Sequence, residues 1–184
     1  AGVDMAALER ALAADDLPAV FRALRLDSAA FLPLETAIRA NYTASGTATA
    51  AQISALTNPV LGARLLVRFD LRNPRAERWL RERSSTRITE IVTDQREAVR
   101  IAVETGTRLG DNPRRTALDI AGRINRATQR REGGIVGLTS QQSGWVANVR
   151  EELASGDPEL LRRYLGRELR DKRFDSAVRK AIRT

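Results

Sequence analysis

The chain has 184 residues, of which 42% are apolar, enough to bury the core of one sizeable domain or of two small ones. Aromatic residues make up only 4%, so we expect a core of Leu, Ile, Val and Ala, which favours packed helices over a sandwich or barrel. Cysteine and histidine are absent, which excludes disulfides, thiolate or His-bridged zinc sites, and the common Ser-His and Cys-His nucleophile pairs.

The net charge of +8 is concentrated in the C-terminal two-thirds of the chain. Residues 1–63 carry 4 basic and 6 acidic residues, whereas residues 64–184 carry 27 basic and 17 acidic residues. All basic residues except Lys172 and Lys180 are Arg, whose planar guanidinium suits phosphates and carboxylates. A G+C-rich genome produces the same enrichment, so a surface that faces polyanions and a compositional bias both remain open.

The first 63 residues predict an N-terminal, Ala-rich helical subdomain. Three short helices are indicated, at residues 4–14, from residue 16 onward, and at residues 28–42. The polar stretch 43–49 predicts a flexible segment. Together with the charge change near residue 63, it places a domain boundary between residues 1–63 and a basic helical domain at 64–184.

Four Asx-Pro pairs mark helix starts along the chain. In each pair the Asx side chain can cap the first turn, while Pro occupies the first helical position, where no donor is needed. The pairs begin at Asn58, Asn73, Asn112 and Asp157.

The basic domain predicts a short helix at 74–83 and then the longest helix at 86–109, capped by Ser84 or Ser85. The long helix carries an apolar stripe of Ile88, Ile91, Val92, Val99, Ala102 and Val103. Further helices are predicted at 113–129 and at 140–156, with a Gly-rich loop at 132–139. From residue 158 an apolar helical pattern runs to Leu169 and resumes at Phe174. The predicted fold class is therefore all-α, a multi-helix bundle-like assembly with one long central helix, a Gly-rich interhelix loop and at most a trace of strand at 134–138. Because the chain stops on a helical pattern, we expect it to be truncated at the C-terminus.

The strongest functional signal is a cluster of six Arg residues around the helix predicted at 113–129. Its apolar side would carry Ala117, Ile120, Ala121, Ile124 and Ala127, opposite a basic face. Such a face could contact DNA phosphates or an acidic partner, or it could simply be solvated. The cluster consists of Arg114, Arg115, Arg123, Arg126, Arg130 and Arg131, with one acid, Asp119, between the first and last.

Other candidate sites have simpler structural interpretations. Trp79 and Trp145 are core anchors or, if exposed, interface anchors. The glycines at 133, 134 and 137 lack the Gly-Lys-Ser/Thr ending of a phosphate loop, and a tight turn that lets Ile135 and Leu138 reach a core explains them. The carboxylate pairs lie near Arg residues, so we expect no enzyme activity, cofactor or metal site. These pairs are Glu90/Asp94, Glu151/Glu152 and Asp15/Asp16.

An ordered set of motifs over residues 64–184 resembles the head-morphogenesis (minor head) proteins of tailed bacteriophages, the Mu F-like family. The first is Asn73-Pro74-Arg75-Ala76-Glu77-Arg78-Trp79-Leu80, which resembles that family's N-P-x-A-x-x-W-L helix. A long helix with branched aliphatics, the turn Gly110-Asp111-Asn112-Pro113 and the segment Ala117-Leu118-Asp119-Ile120-Ala121-Gly122-Arg123-Ile124 follow in the family's order. The family's later A-R-T-E-like motif does not occur in this chain.

The resemblance implies a structural role in a virion rather than catalysis. Its implied partners are the portal or the major capsid protein, with double-stranded DNA as a further partner, no membrane, and multiple copies in a symmetric assembly. The implied location is the head interior or portal vertex, and the host cytoplasm during assembly. A general, non-sequence-specific nucleic-acid-binding protein is the alternative, for which the basic region is the whole argument.

Overall fold

A computed structural model describes residues 3–56, 62–70 and 73–183. Helices dominate these residues, so the predicted all-α class with one long helix is confirmed. In chain order the elements are α1 (Met5–Ala13), α2 (Leu17–Ala23), a 3₁₀ turn (Ser28–Phe31), α3 (Leu32–Ser54), α4 (Pro74–Arg108), α5 (Pro113–Ala121), β1 (Arg123–Ile124), β2 (Arg131–Glu132), α6 (Ser140–Ala154), α7 (Pro158–Gly166), a second 3₁₀ turn (Lys172–Phe174) and α8 (Asp175–Arg183).

The chain forms two compact units. The first comprises Ala1–Leu26 and Thr93–Thr184, and the second comprises Asp27–Val92. Helix α4 contributes its C-terminal part to the first unit and its N-terminal part to the second. This division differs from the sequence boundary at residue 63, which the change in charge predicted.

The core of the first unit is built by α1, α2, the C-terminal part of α4, and α5. Leu8, Val99 and Ile120 have no exposed surface in this core, and Val20 has almost none. Asp4 and Asp16, where the first two predicted helices begin, accept hydrogen bonds from first-turn N–H groups of α1 and α2. Capping satisfies otherwise unpaired donors and so fixes where each helix enters the core.

The C-terminal helices of the same unit form a second, smaller cluster. Tyr164 of α7 is fully buried beside Leu161 and Val178, and side chains from α6 pack against them. The Tyr164 hydroxyl donates a hydrogen bond of 2.6 Å to the Asp171 carbonyl. Since a buried hydroxyl needs a partner, this bond fixes the connection between α7 and the second 3₁₀ turn.

In the second unit, residues 62–70 follow the surface of α3. The Val67 N–H donates to the Ser54 hydroxyl, which in turn donates to the Val67 carbonyl, at 3.0 and 3.2 Å. The Phe69 ring lies against Gly46, where any Cβ atom would come within 2.3 Å of the ring. Tyr42 stacks at 5.4 Å from Phe69 and at 5.6 Å from Trp79, so an aromatic trio joins this segment to α3 and α4.

The predicted boundaries of α3 and α4 are wrong. Residues 43–49, predicted to be flexible, lie inside α3, where the Ala-rich sequence favours helix. The Thr43 hydroxyl donates a hydrogen bond to the Arg39 carbonyl of the same helix. The short helix at 74–83 and the long helix are one 35-residue helix. Ser84 does not cap; it is buried inside α4 and donates to the Arg81 carbonyl.

Three of the Asx-Pro helix starts are confirmed. Side chains of Asn73, Asn112 and Asp157 accept first-turn backbone N–H groups at 3.0, 2.8 and 2.8 Å. The fourth pair, Asn58-Pro59, lies outside the described residues.

Candidate functional site

Helix α5 ends eight residues earlier than the sequence predicted. The predicted helix ran to residue 129, but α5 stops at Ala121, and Gly122 follows with φ +79°. A residue with a side chain rarely adopts that conformation, so glycine here lets the chain leave the helix. Ala117, Ile120 and Ala121 are buried as predicted, whereas Ile124 is 56% exposed.

The residues after α5 form an antiparallel β-hairpin instead of helix. Arg123 pairs with Glu132, and Ile124 pairs with Arg131. The prediction of a trace of strand at 134–138 is wrong in its position, because the two strands lie at 123–124 and 131–132. The Asn125 N–H donates to the Arg130 carbonyl at 2.8 Å, which closes the end of the ladder.

The turn of the hairpin is held by a side-chain network centred on Glu132. Its carboxylate accepts hydrogen bonds from the Asn125 amide at 2.7 Å and from the Thr128 hydroxyl at 2.8 Å. These bonds hold the pKa of Glu132 below its usual value, because they favour the charged carboxylate. Gln129 adopts φ +55° at the turn and donates its side-chain amide to the Arg126 carbonyl. The turn is therefore an ordered structure that displays its Arg side chains.

The six predicted Arg residues do not share one helix face. Arg114 and Arg115 lie in the first turn of α5, while the other four lie on the hairpin. The side chains of Arg114, Arg126 and Arg130 are exposed and form no ion pair with any described residue. Arg115 and Arg123 are exposed but approach Asp111 and Asp119 at 3.1 and 3.9 Å. Arg131 is half-buried and donates to the Gly122 carbonyl at 2.9 Å, so its role includes holding the hairpin on α5.

The Gly-rich loop after the hairpin joins α5 to α4 and α6. The Ile135 N–H donates to the Ile120 carbonyl at 2.9 Å, and a Cβ atom on Gly134 would lie only 2.5 Å from the Gly122 nitrogen. Gln95 of α4 accepts from the Gly137 N–H and donates to the Leu138 carbonyl. Ile135 is buried in the core and Leu138 packs against it, so the prediction of a tight interhelix turn is confirmed.

Helix α6 is tied to α4 and α5 by polar contacts. Thr139 caps this helix through a capping box, in which its side chain accepts from the Gln142 N–H. Ser140 donates both its N–H and its hydroxyl to Asp94, at 3.1 and 2.5 Å. The guanidinium of Arg150 lies 2.6 Å from Asp111, just before α5, and 2.9 Å from Asp119, in the last turn of α5.

An open groove with a volume of about 1120 Å³ lies among α5, α6, α7 and α8. Four large apolar side chains on its walls remain open to solvent: Trp145 at 55%, Val146 at 38%, Leu169 at 98% and Phe174 at 47% exposure. The walls also carry five Arg and three carboxylates. Apolar residues exposed singly are ordinary, but several around one concave surface mark an interaction site.

The two tryptophans have different surroundings. Trp79 is 53% exposed and stacks on Tyr42 in the aromatic trio of the second unit. Trp145 is exposed on the wall of the groove. Neither is a buried core anchor; Trp145 lines the groove, and Trp79 does not.

The carboxylate pairs named from the sequence are engaged by neighbouring groups. Glu151 pairs with Arg108 at 2.9 Å, and Glu152 pairs in bidentate fashion with Arg167 at 2.7 and 2.8 Å. Hydrogen bonding from Arg167 lowers the pKa of Glu152. Among residues 3–56, 62–70 and 73–183, no group of three or more carboxylates could hold a metal ion. None of the helices formed by those residues combines the length and apolar content needed to cross a membrane.

Sequence reasoning missed two features of the site. The first is the set of Asn125, Thr128 and Glu132 that orders the hairpin; Gly122 inside the predicted helix was the available signal for a break. The second is the groove: the apolar helical pattern after residue 158 included Leu169 and Phe174, but both lie exposed on the connection between α7 and α8. Comparisons of the chain with protein-family models, with characterised proteins and with solved structures found no match.

Proposed function

We propose that this protein is a non-enzymatic structural protein of the minor-head type in a tailed bacteriophage. In this proposal it contacts the portal or major capsid protein and directs its Arg-rich hairpin, residues 123–132, toward packaged double-stranded DNA. The ordered motifs of residues 64–184 support the phage assignment. The observation that carries the DNA-facing role is the ordered hairpin, which displays Arg126 and Arg130 without carboxylate partners among the described residues.

The hairpin has the physical properties of a phosphate-binding element. No acidic residue lies between Asp119 and Glu132, and Glu132 is occupied by Asn125 and Thr128. The charges of Arg126 and Arg130 are therefore not neutralised locally, and binding to phosphates would release the counterions of DNA. A two-stranded ribbon also fits the width of the major groove. Contacts of this kind position a protein on DNA without reading its sequence.

The engagement of the carboxylates supports a non-enzymatic role. Glu152 is only 5% exposed and is held by Arg167 and Arg163, which favour its charged form and oppose proton uptake. Asp94 accepts two hydrogen bonds from Ser140. These groups serve the packing of α4, α6 and α7.

A charge-matched pair of variants tests the DNA-facing role. Arg126→Gln with Arg130→Gln removes two hairpin charges, whereas Arg10→Gln with Arg39→Gln removes two exposed charges from the acidic N-terminal third. DNA affinity is measured by fluorescence anisotropy over a salt series. The hairpin variant should bind DNA more weakly, and its salt slope should fall by up to about 0.9 for each phosphate that it no longer neutralises. Equal behaviour of both variants would contradict the proposal.

The phage assignment needs a separate test. The protein should be found in purified virions, with its density at the portal vertex or inside the head. A general, non-sequence-specific nucleic-acid-binding protein is the alternative, favoured by the same hairpin. Salt-dependent DNA binding without association with heads would support that alternative and refute the virion role.

A further inference from the structure

We infer that the groove among α5, α6, α7 and α8 is a docking site for an amphipathic helix of a partner protein, with an acidic flank beside its apolar face. The inference rests on the proposed function for the existence of a protein partner, but it concerns a different surface from the hairpin turn. The apolar anchors would be received by Trp145, Leu169 and Phe174, and the acidic flank by Arg115 and Arg123.

The segment that presents Leu169 is held by side-chain hydrogen bonds on both sides, although Leu169 itself is almost fully exposed. On one side of Leu169, Arg167 forms two bonds to buried Glu152. On the other side, Arg170 forms two bonds to Asp175, at 2.9 and 2.8 Å, and a third to the Arg167 carbonyl. A leucine at 98% exposure on such a braced connection is displayed to solvent by the fold itself. That arrangement suits an anchor that a partner covers.

The shape of the groove favours a peptide helix over a small ligand. Its apolar side chains come from α6, from the 167–174 connection and from α8, so they line an open surface that spans several elements. A helix can bury residues at i, i+3, i+4 and i+7 in a groove of this kind. Its volume of about 1120 Å³ also exceeds the roughly 300–1,000 Å³ of ordinary ligand pockets.

The charges on the walls of the groove favour a partner helix that carries acidic residues beside its apolar face. Of the three carboxylates of the groove, Asp119 is bound by Arg150 and Asp171 by Arg173, each at less than 3 Å, while Glu168 is exposed. The five Arg of the walls outnumber these carboxylates by two. Arg115 and Arg123 remain 63% and 68% exposed on the wall. A second copy of this chain, with its net charge of +8, would bring like charge to the groove. An acidic partner therefore fits better than self-association.

The test uses the full chain and three synthetic peptides. The chain contains two tryptophans, so Trp79→Phe leaves Trp145 as the only tryptophan and makes its emission a reporter of the groove. The peptides are amphipathic helices of about 18 residues, or five turns, with the same apolar anchors. Their polar faces are built from Glu, from Lys or from Gln.

The Glu-faced peptide should shift Trp145 emission and bind about tenfold more tightly than the Lys-faced peptide. Leu169→Asp should weaken this binding about tenfold or more. Leu66→Asp, at a leucine 83% exposed in the second unit, is the matched control and should leave it unchanged. Arg123→Glu should shift the preference toward the Lys-faced peptide.

Several results would overturn the inference. Equal affinity for the three peptides would contradict the inference that the partner is acidic. If none of the peptides bound, the inference that the groove is a docking site would be wrong. Concentration-dependent dimers that Leu169→Asp abolishes and Leu66→Asp preserves would assign the groove to a second copy. The variant with both Arg126→Gln and Arg130→Gln should still bind the peptide. The DNA-binding test of the hairpin and the peptide-binding test of the groove can therefore fail independently of each other.

Discussion

Replacing Gly134 by Ala should destabilise the first unit, because the new Cβ atom has no space. It would lie 2.5 Å from the Gly122 nitrogen and 2.6 Å from the Ile120 carbonyl oxygen, both of which are backbone atoms. Contacts under 3.0 Å essentially never occur at a real Cβ, so the loop must move away from α5 by at least about 0.5 Å. The Ile135 N–H bond to the Ile120 carbonyl, now 2.9 Å, lies in the path of that movement.

The expected cost is the sum of two effects with one small offset. Overpacking against a backbone that cannot rotate away costs about 1–3 kcal/mol. Weakening of the buried Ile135 hydrogen bond adds about 1 kcal/mol. The lower entropy of the unfolded chain with Ala offsets about 0.4–1 kcal/mol of this cost. We therefore expect the free energy of unfolding to fall by about 2–3 kcal/mol.

The assay is denaturant unfolding followed by Trp145 fluorescence in the Trp79→Phe background, which reports on the first unit. The matched control is Gly144→Ala, because a Cβ atom there meets nothing within 4 Å and the residue lies inside α6. That control should stabilise the protein by about 0.5–1 kcal/mol. If Gly134→Ala proved as stable as the wild type, the close approach of the loop to α5 would be wrong.

Three further predictions concern side chains that fix the site. Asn112→Ala should lower the free energy of unfolding by about 1 kcal/mol because the cap of α5 is removed, and an unchanged unfolding midpoint would contradict the observed cap. Glu152→Gln should destabilise most above the ordinary carboxyl pKa of 4.5. Because bonding to Arg167 lowers the pKa of Glu152 in the folded protein, the extra stability of the wild type should be lost as the pH falls through that lowered value. A stability difference between the two proteins that does not change with pH would argue against the ion pair. Glu132→Ala should speed hydrogen exchange at the Gln129 amide, measured by mass spectrometry or NMR, and unaltered exchange would mean that the turn is ordered without this carboxylate.

Helix starts were predictable because their chemistry is local. The caps at Asn112 and Asp157 depend only on an Asx side chain and a following Pro, both visible in the sequence. The concentration of Arg in the segment that forms the hairpin was also visible in the sequence. The structure of that segment was not, since Ile124 and Ala127 continue the apolar period of α5 across the break at Gly122.

Features that depend on distant contacts could not be predicted. Ser84 has the chemistry of an N-cap, yet it lies buried inside α4. There the continuous helix supplies the hydrogen-bond partners of the backbone, so no cap is needed. Residues 43–49 look like a linker by composition but form helix within α3, against which Phe69 packs at Gly46. The groove depends on the Glu152–Arg167 contact between α6 and the end of α7, which no periodicity encodes.

The guanidinium of Arg150, a residue of α6, links α6 to both ends of α5. It holds Asp111, just before α5, and Asp119, in the last turn of α5, so sliding α6 by one helical turn would break both ion pairs together. The hairpin continues directly from α5, and Trp145 of the groove stands on α6. Under the two proposals made above, a load applied at the hairpin would reach the groove through the contacts of Arg150 between α5 and α6.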